Sequence, residues 1–253
     1  MDSTERWRSD FGAVFEGADR GLSVADRLCH ACVDLLQVDG AAVSLLHDGA
    51  TQGTFGSSCA LSRQLDEFQF TFGEGPCLDA VGQGAPVLVA DLTSPSASRW
   101  PAYTDAVLGQ GVQAVFALPI TLIATPIGAL ALFRYEPGPV TPDALAGGLL
   151  AAELAALPLL DLMTADVDWD SAAQGGSGWE ELASLERVEV YQATGMVMEA
   201  YGLGSTDALV RLRAHAYASG RAVGELAMAI VERQFPLDDE DWRRRPDDPA
   251  RRR

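Results

Sequence analysis

Between residues 185 and 235 apolar side chains recur every three or four positions in three short runs, separated by Gly202-Leu203-Gly204-Ser205 and Ser219-Gly220-Arg221. A helix turns about 100° per residue, so Val190, Ala193, Val197, Ala200 and Tyr201 share one face of the first run. Ala208, Leu212 and Ala216 share a face of the second, and Val223, Leu226, Ala227, Ile230 and Val231 form the cleanest stripe, in the third. Ser205 is placed to N-cap the second run with Asp207 in its first turn, Gly220 to end it in the left-handed conformation, and Pro236 to close the third. The pattern predicts an all-α three-helix domain over 184–237.

Upstream, residues 21–160 alternate helix and strand signals. An apolar stripe predicts a helix over 22–36, and short strands follow at 41–47, closed by His47-Asp48-Gly49, and at 86–91. Residues 100–108 read as helical. The 23 residues from 111 to 133 carry no charge and are long enough to span a bilayer, but Pro119, Pro126 and Gly128 interrupt them. Two buried strands joined by a turn fit better. An Ala- and Leu-rich closing helix spans 142–160, with Pro142 in its first turn. The economical arrangement is an α+β domain with an antiparallel sheet flanked by helices.

Residues 1–20 are then an N-terminal extension, 161–183 a flexible linker containing Gly175-Gly176-Ser177-Gly178, and 238–253 a charged disordered tail. Trp169 and Trp179 are unexpected in a free tether and suggest docking on a domain or a partner chain. Arg6, Arg8, Asp10 and Glu16 leave no room for a secretory h-region, so a cytoplasmic protein is expected.

Charge narrows the choice of partners. The chain has no lysine, and its formal net charge of -18 is concentrated in residues 1–183, which hold 24 acidic residues against 7 arginines. Residues 184–237 hold 6 and 5, and the tail 6 and 6. Nonspecific binding to nucleic acid should be poor, because affinity of that kind rests on neutralising phosphates. Discrimination of an RNA loop by shape, stacking and a few arginines remains open.

Several residues carry candidate chemistry. An interior helix glycine costs about 1 kcal/mol relative to alanine, so Gly195 on the outward face of the first helix, beside Tyr191 and Gln192, suggests close approach by another molecule. Tyr191 could stack on an unpaired base while Arg211 and Arg213 reach phosphates. Equally, Tyr191 could be a half-buried helix residue and the arginines solvated or paired with Glu189, Glu199 and Glu232; the residues alone leave both readings open. Glu225, Met228 and Glu232 on the third helix make it a poor DNA recognition helix. In Gly73-Glu74-Gly75-Pro76-Cys77 the thiol starts a helix, where a thiolate would be favoured; the alternative is a small buried residue that never reacts. Cys29-His30-Ala31-Cys32 fits the apolar stripe of its helix and reads as core, and with Cys59 the four cysteines make no disulfide framework or metal site. His30 or His47 could serve as an axial haem ligand, but nothing in the spacing favours it. No Walker loop, nucleophile elbow or paired carboxylates point to an enzyme.

Two stretches resemble known families. Gln192-Ala193-Thr194-Gly195-Met196-Val197-Met198, then Ala208, Leu212-Arg213, Ala216, Arg221 and Glu225-Leu226-Ala227, resemble the ANTAR domain, the RNA-binding output module of bacterial transcription antiterminators. Thr194 stands where that family usually has lysine. The resemblance implies an RNA contact surface drawn from Tyr191, Gln192, Thr194, Gly195, Arg211, Arg213 and Arg221, binding paired stem-loops as a homodimer. Phe70-Thr71-Phe72-Gly73-Glu74-Gly75-Pro76-Cys77-Leu78-Asp79-Ala80, Pro86-Val87-Leu88-Val89-Ala90-Asp91-Leu92, Arg99-Trp100-Pro101, Phe116-Ala117-Leu118-Pro119-Ile120 and Ile127-Gly128-Ala129-Leu130 resemble a GAF sensor domain. They are similar in particular to the GAF-ANTAR regulators of actinobacteria. That implies a small-molecule partner whose identity the sequence leaves unknown, with Phe72, Glu74, Cys77, Trp100 and Phe116 as candidate contacts. The function expected is signal-responsive antitermination; the alternative is an adaptor whose helical domain, through Tyr191, Gly195 and Met198, binds protein in place of RNA.

Overall fold

A computed structural model describes residues 3–12, 14, 22–47, 50–164, 187–235 and 237. The chain divides into two compact units, Met1–Leu185 and Glu186–Arg253. Trp169, Trp179, Asp48, Gly49, Pro236 and the expected linker beyond Thr164 and tail beyond Leu237 lie outside the described residues.

The first unit is a five-stranded antiparallel sheet between two helical layers. Its elements are α1 (Ser3–Gly12), α2 (Leu22–Leu36), β1 (Gly40–His47), β2 (Ala50–Ser57), α3 (Ala60–Phe72), α4 (Pro76–Gln83), β3 (Val87–Val89), α5 (Pro101–Gly109), β4 (Ala114–Leu122), β5 (Thr125–Arg134) and α6 (Pro142–Thr164). The strand order is β2-β1-β5-β4-β3. The uncharged stretch is the β4–β5 hairpin: Leu122 pairs with Thr125 across Ile123 and Ala124, both at positive φ (46° and 66°), the turn geometry that matches the right-handed twist of a two-residue hairpin.

Strand alternation assigns each residue to a face. Phe116, Leu118 and Ile120 of β4 join Leu130 and Leu132 of β5 against α1, α2 and α6, whereas Val115 and Ala117 face α3, α4 and α5. The expected N-terminal extension contributes α1, and its Trp7 and Phe11, one turn apart, are buried in the same core as Cys29, Cys32 and Leu36 of α2. Helix α6 settles on that core through Gly147 and Gly148: a Cβ at 147 would lie 2.6 Å from Leu36 and one at 148 2.8 Å from Leu118. Residues Pro142–Leu159 are long and apolar enough to cross a membrane, yet Leu150, Ala151, Ala152, Ala155, Ala156 and Leu159 are buried in the unit.

The second unit is the expected helical trio: α7 (Val188–Tyr201), α8 (Ser205–Ser219) and α9 (Val223–Val231). Val190, Ala193 and Val197 bury against Ala208, Leu212 and Ala216 and against Val223, Leu226, Ala227 and Ile230. Gly202 and Gly220 end α7 and α8 at φ 64° and 66°. Gly204, not Ser205, is the N-cap of α8, and α9 stops at Val231, before Pro236. The buried stripe of α7 also runs differently from the expected one: Thr194 is inside and Ala200 outside. Thr194 tolerates this because its hydroxyl donates to the Val190 carbonyl at 2.6 Å, satisfying the polar group within the helix.

Candidate functional site

In the first unit, the sheet face under α3, α4 and α5 holds a polar interior. Asp66 on α3 is 1% exposed; its Oδ1 accepts a hydrogen bond from Ser44 Oγ of β1 at 2.5 Å, and its Oδ2 one from Thr54 Oγ1 of β2 at 2.6 Å. One turn along, buried Gln69 accepts a 2.7 Å hydrogen bond from the Cys77 amide through Oε1. Gly75 makes room for it: at φ 148° a side chain is strained, and a Cβ there would sit 2.5 Å from that oxygen. Glu74 Oε1 accepts from the amides of Ala102 and Tyr103 at 2.7 and 3.1 Å, capping α5, whose own N-cap residue, Trp100, makes no such bond. Asp66, Gln69 and Glu74 thus tie α3 to the sheet, to α4 and to α5.

The sensor candidates fall on both sides of the sheet. Cys77 opens α4 but is fully buried, and burial pushes its thiol up to about 12, against which the Gln69 hydrogen bond is the weaker effect. Of the two readings of this residue, the geometry fits the small buried one: desolvation outweighs the terminal dipole. Trp100 is 3% exposed with the Arg99 guanidinium 4.1 Å above its ring, and Phe72 is half-buried and stacked on Phe68. Phe116 belongs to the opposite core, so it cannot share a pocket with the other four. Cys29 and Cys32 lie wholly in the α2 core; burial lifts Cys32 to about 12 and Cys29 well above its ordinary value. His30 faces solvent, and the His47 side chain lies outside the described residues. Among the described residues no three His, Cys, Asp or Glu side chains come together as a metal site.

Ser44, Thr54, Asp66, Gln69 and Tyr103 were not singled out in the sequence. Tyr103, 1% exposed, has its hydroxyl raised well above the usual value by burial, with Cys77 and Asp66 adding to it. A helix over 60–72 would have revealed part of this group, because Leu65, Asp66, Gln69 and Phe70 then share one face. Cys59 is the exposed thiol and N-cap of α3; burial raises it, but hydrogen bonds from the Ser62 side chain and backbone and from Ser58 outweigh that and lower it.

In the second unit, α7 presents Tyr191, 53% exposed, with exposed Gln192 and Gly195. A Cβ on Gly195 would meet nothing within 4 Å, so no contact among the described residues explains the glycine. Thr194, expected on this surface, is buried and bonded to its own helix. The arginines are engaged: Arg211 lies 4.5 Å over the Tyr201 ring, Arg213 is half-buried, and Arg221 donates to the Glu225 carbonyl at 3.2 Å. Beside Gly195 runs an open groove of about 750 Å³, lined by Gln192, Gly195, Met196, Glu199, Ala200, Val231 and Leu237. The face offers a ring, an amide and an approachable backbone, with little positive charge.

Comparison with known proteins places both units. A family model for the GAF domain matches residues 23–157, and one for the ANTAR domain matches residues 181–231. The GAF domain of an Acinetobacter phosphoenolpyruvate-protein phosphotransferase superposes with a TM-score of 0.50 at 13% identity, covering 66% of this chain and 100% of its own. The corresponding domain from Coxiella burnetii gives 0.51 at 16% identity, covering 64% and 95%. These likenesses support the fold alone. A search of curated proteins finds no match. With its GAF match spanning more than half its length and an ANTAR domain following, the chain belongs to the GAF family and has the architecture of a GAF-ANTAR regulator.

Proposed function

We propose that this chain is a cytoplasmic, signal-responsive antitermination regulator: the GAF unit senses a small molecule, and the ANTAR unit binds RNA stem-loops and keeps a terminator hairpin from forming. The observation that carries the reading is the coincidence of the ANTAR match with a helix, α7, that exposes Tyr191, Gln192 and an otherwise unexplained Gly195 on one face. An exposed ring can stack on a splayed base, and a backbone without a side chain can approach a sugar or base edge. Arg213 and Arg221, both partly exposed, are the phosphate contacts in this scheme. On the sensor side, Phe72 and Trp100 belong to the apolar cluster with Leu65 and Tyr103 under α3, α4 and α5, and a ligand reaching Asp66 would exchange its own groups for the Ser44 and Thr54 hydroxyls. Homodimerisation is proposed along α6, which leaves Leu149 and Leu157 exposed at 42% and 58% on one stripe.

One observation favours the adaptor reading: the groove beside Gly195 is apolar with a single acid, Glu199, and contains no arginine. Such a surface fits a protein partner better than phosphate. Titrating the full-length chain against a pool of paired RNA hairpins at two salt concentrations separates the two. Selective binding that weakens steeply with salt and is lost in an Arg213→Ala, Arg221→Ala variant supports RNA; no binding, or binding indifferent to salt, supports the adaptor.

A further inference from the structure

Arginine is unevenly distributed over the three helices of the ANTAR unit. Helices α7 and α9 carry none, and their charges are acids, Glu189 and Glu199 on the first and Glu225 on the second. Helix α8 carries Arg211 and Arg213, and after Asp207 in its first turn the sequence has no acid until Glu225. The same helix buries Ala208, Leu212 and Ala216 against its neighbours, which leaves Val210 and Tyr217 on the far side, 57% and 61% exposed. Seven residues turn a helix through about 700°, so these two side chains are about 20° apart on a single stripe. Arg213 is one turn before Tyr217. Past the left-handed Gly220, the Arg221 amide donates to the Ala216 carbonyl at 3.0 Å, which holds the Arg221 backbone against the last turn of α8, beside Tyr217.

We propose that the outer face of α8 is a second RNA surface, on which Tyr217 stacks on an unpaired base while Arg213 and Arg221 hold the phosphates on either side of it. The inference rests on the RNA reading above and deepens it, adding a helix and a stacking residue to the interface and naming the part of the RNA they take. Charge complementarity selects the occupant. A phosphate chain laid along α7 meets Glu189 and Glu199, and one along α9 meets Glu225, whereas the exposed stripe of α8 from Val210 to Tyr217 has two arginines beside it and no acid. An aromatic ring between guanidinium groups suits a single strand, because the ring face stacks on any base and the cations neutralise the backbone. The ligand so defined presents bases free of pairing. A blunt duplex, whose bases are already stacked on one another, offers Tyr217 nothing.

The test is titration of the full-length chain and of its Tyr217→Ala, Tyr217→Phe and Arg213→Ala variants with the hairpin pool, and with the same stems as blunt duplexes, at several salt concentrations. Tyr217→Ala should bind the hairpins about 5- to 150-fold more weakly, the range expected for loss of one base–aromatic stack, and Tyr217→Phe should stay within about twofold of wild type. Salt separates a lost stack from a lost fold. Tyr217→Ala removes no phosphate contact, so its slope of log affinity against log salt should match wild type, whereas Arg213→Ala should lower that slope by about one. Wild type should prefer hairpins to blunt duplexes, and Tyr217→Ala should lose most of that preference. Hairpin binding that Tyr217→Ala leaves unchanged would overturn the role of α8 while the RNA reading stands. A fall in both affinity and salt slope in Tyr217→Ala that Tyr217→Phe shares would also overturn it, by assigning the side chain to the fold. No binding of any hairpin by wild type would overturn both readings together.

Discussion

Replacing Gly195 by alanine separates what the ANTAR unit's own fold requires from what a partner requires. Gly195 is in the interior of α7, exposed, and a Cβ built on it meets no atom within 4 Å. The added methyl therefore creates no clash, and the gain is that of helix propensity, about 1 kcal/mol. For a domain of this size that corresponds to a melting-temperature increase of about 4–8 °C. If the α7 backbone is a contact surface, the same methyl holds a ligand off the helix, and loss of one close approach worth about 1.4 kcal/mol weakens binding about tenfold. The assay is a far-UV circular dichroism melt of the full-length chain, followed by RNA titration of the same preparation. A stabilised protein with weakened RNA affinity is the expected outcome. A Tm that does not rise refutes the interior-helix assignment of Gly195, and a raised Tm with unchanged affinity refutes its role in binding.

Three further outcomes are expected in the GAF unit. Asp66→Ala strands two buried hydroxyls, Ser44 and Thr54, and should lower stability by about 3–5 kcal/mol in urea unfolding, part of it recovered in a Ser44→Ala, Thr54→Val, Asp66→Leu variant; a loss under about 1 kcal/mol would mean the cluster is not buried as described. Cys32 and Cys77 hold their protons to about pH 12 when folded but would release them near 9.0 when unfolded, so the folded state binds more protons across that window. Stability should be full below pH 9 and fall above it by about 1.4 kcal/mol per pH unit per thiol. Cys29, raised as well, shares in that slope, so Cys77→Val should remove about one third of it, and an unchanged slope would show that Cys77 is not its source. Iodoacetamide at neutral pH should label Cys59 alone in the folded protein, by peptide mass mapping, and labelling of Cys77 at a similar rate would contradict its burial.

Elements with a strong period were legible in advance. The stripe of α2 and the three helices of the ANTAR unit repeat every three or four residues, and the uncharged 111–133 run is interrupted by Pro119 and Pro126, one on each strand flanking the turn at Ile123-Ala124. Helices α3 and α4 were not, because Gly73 and Gly75 break the stretch and Asp66, Gln69 and Thr71 face inward, so polar letters occupy buried positions. Strand β2 has the same problem: Gly53, Thr54 and Gly56 are buried but carry no apolar signal. On α7 the period was right and the phase off by part of a turn, since Thr194 and Ala200 are each compatible with either side. The sensor candidates were chosen from motif neighbourhoods, which record closeness along the chain; the side of the sheet on which Phe116 falls depends on strand register, a property of pairing.

The glycine pair at the foot of α6 has a mechanical consequence. With Gly147 and Gly148 seated against Leu36, Trp7 and Leu118, there is little side-chain cushion at that point to take up a displacement of the sheet. A 23-residue helix is a rod about 34 Å long, so a tilt of about 5° about a pivot at the glycines would move its far end by roughly 2–3 Å. The seat would act as a fulcrum: a shift of the sheet at Leu118 would tilt α6 about the glycines, and the buried residues from Leu150 to Leu159 would have to repack for the motion to reach Thr164.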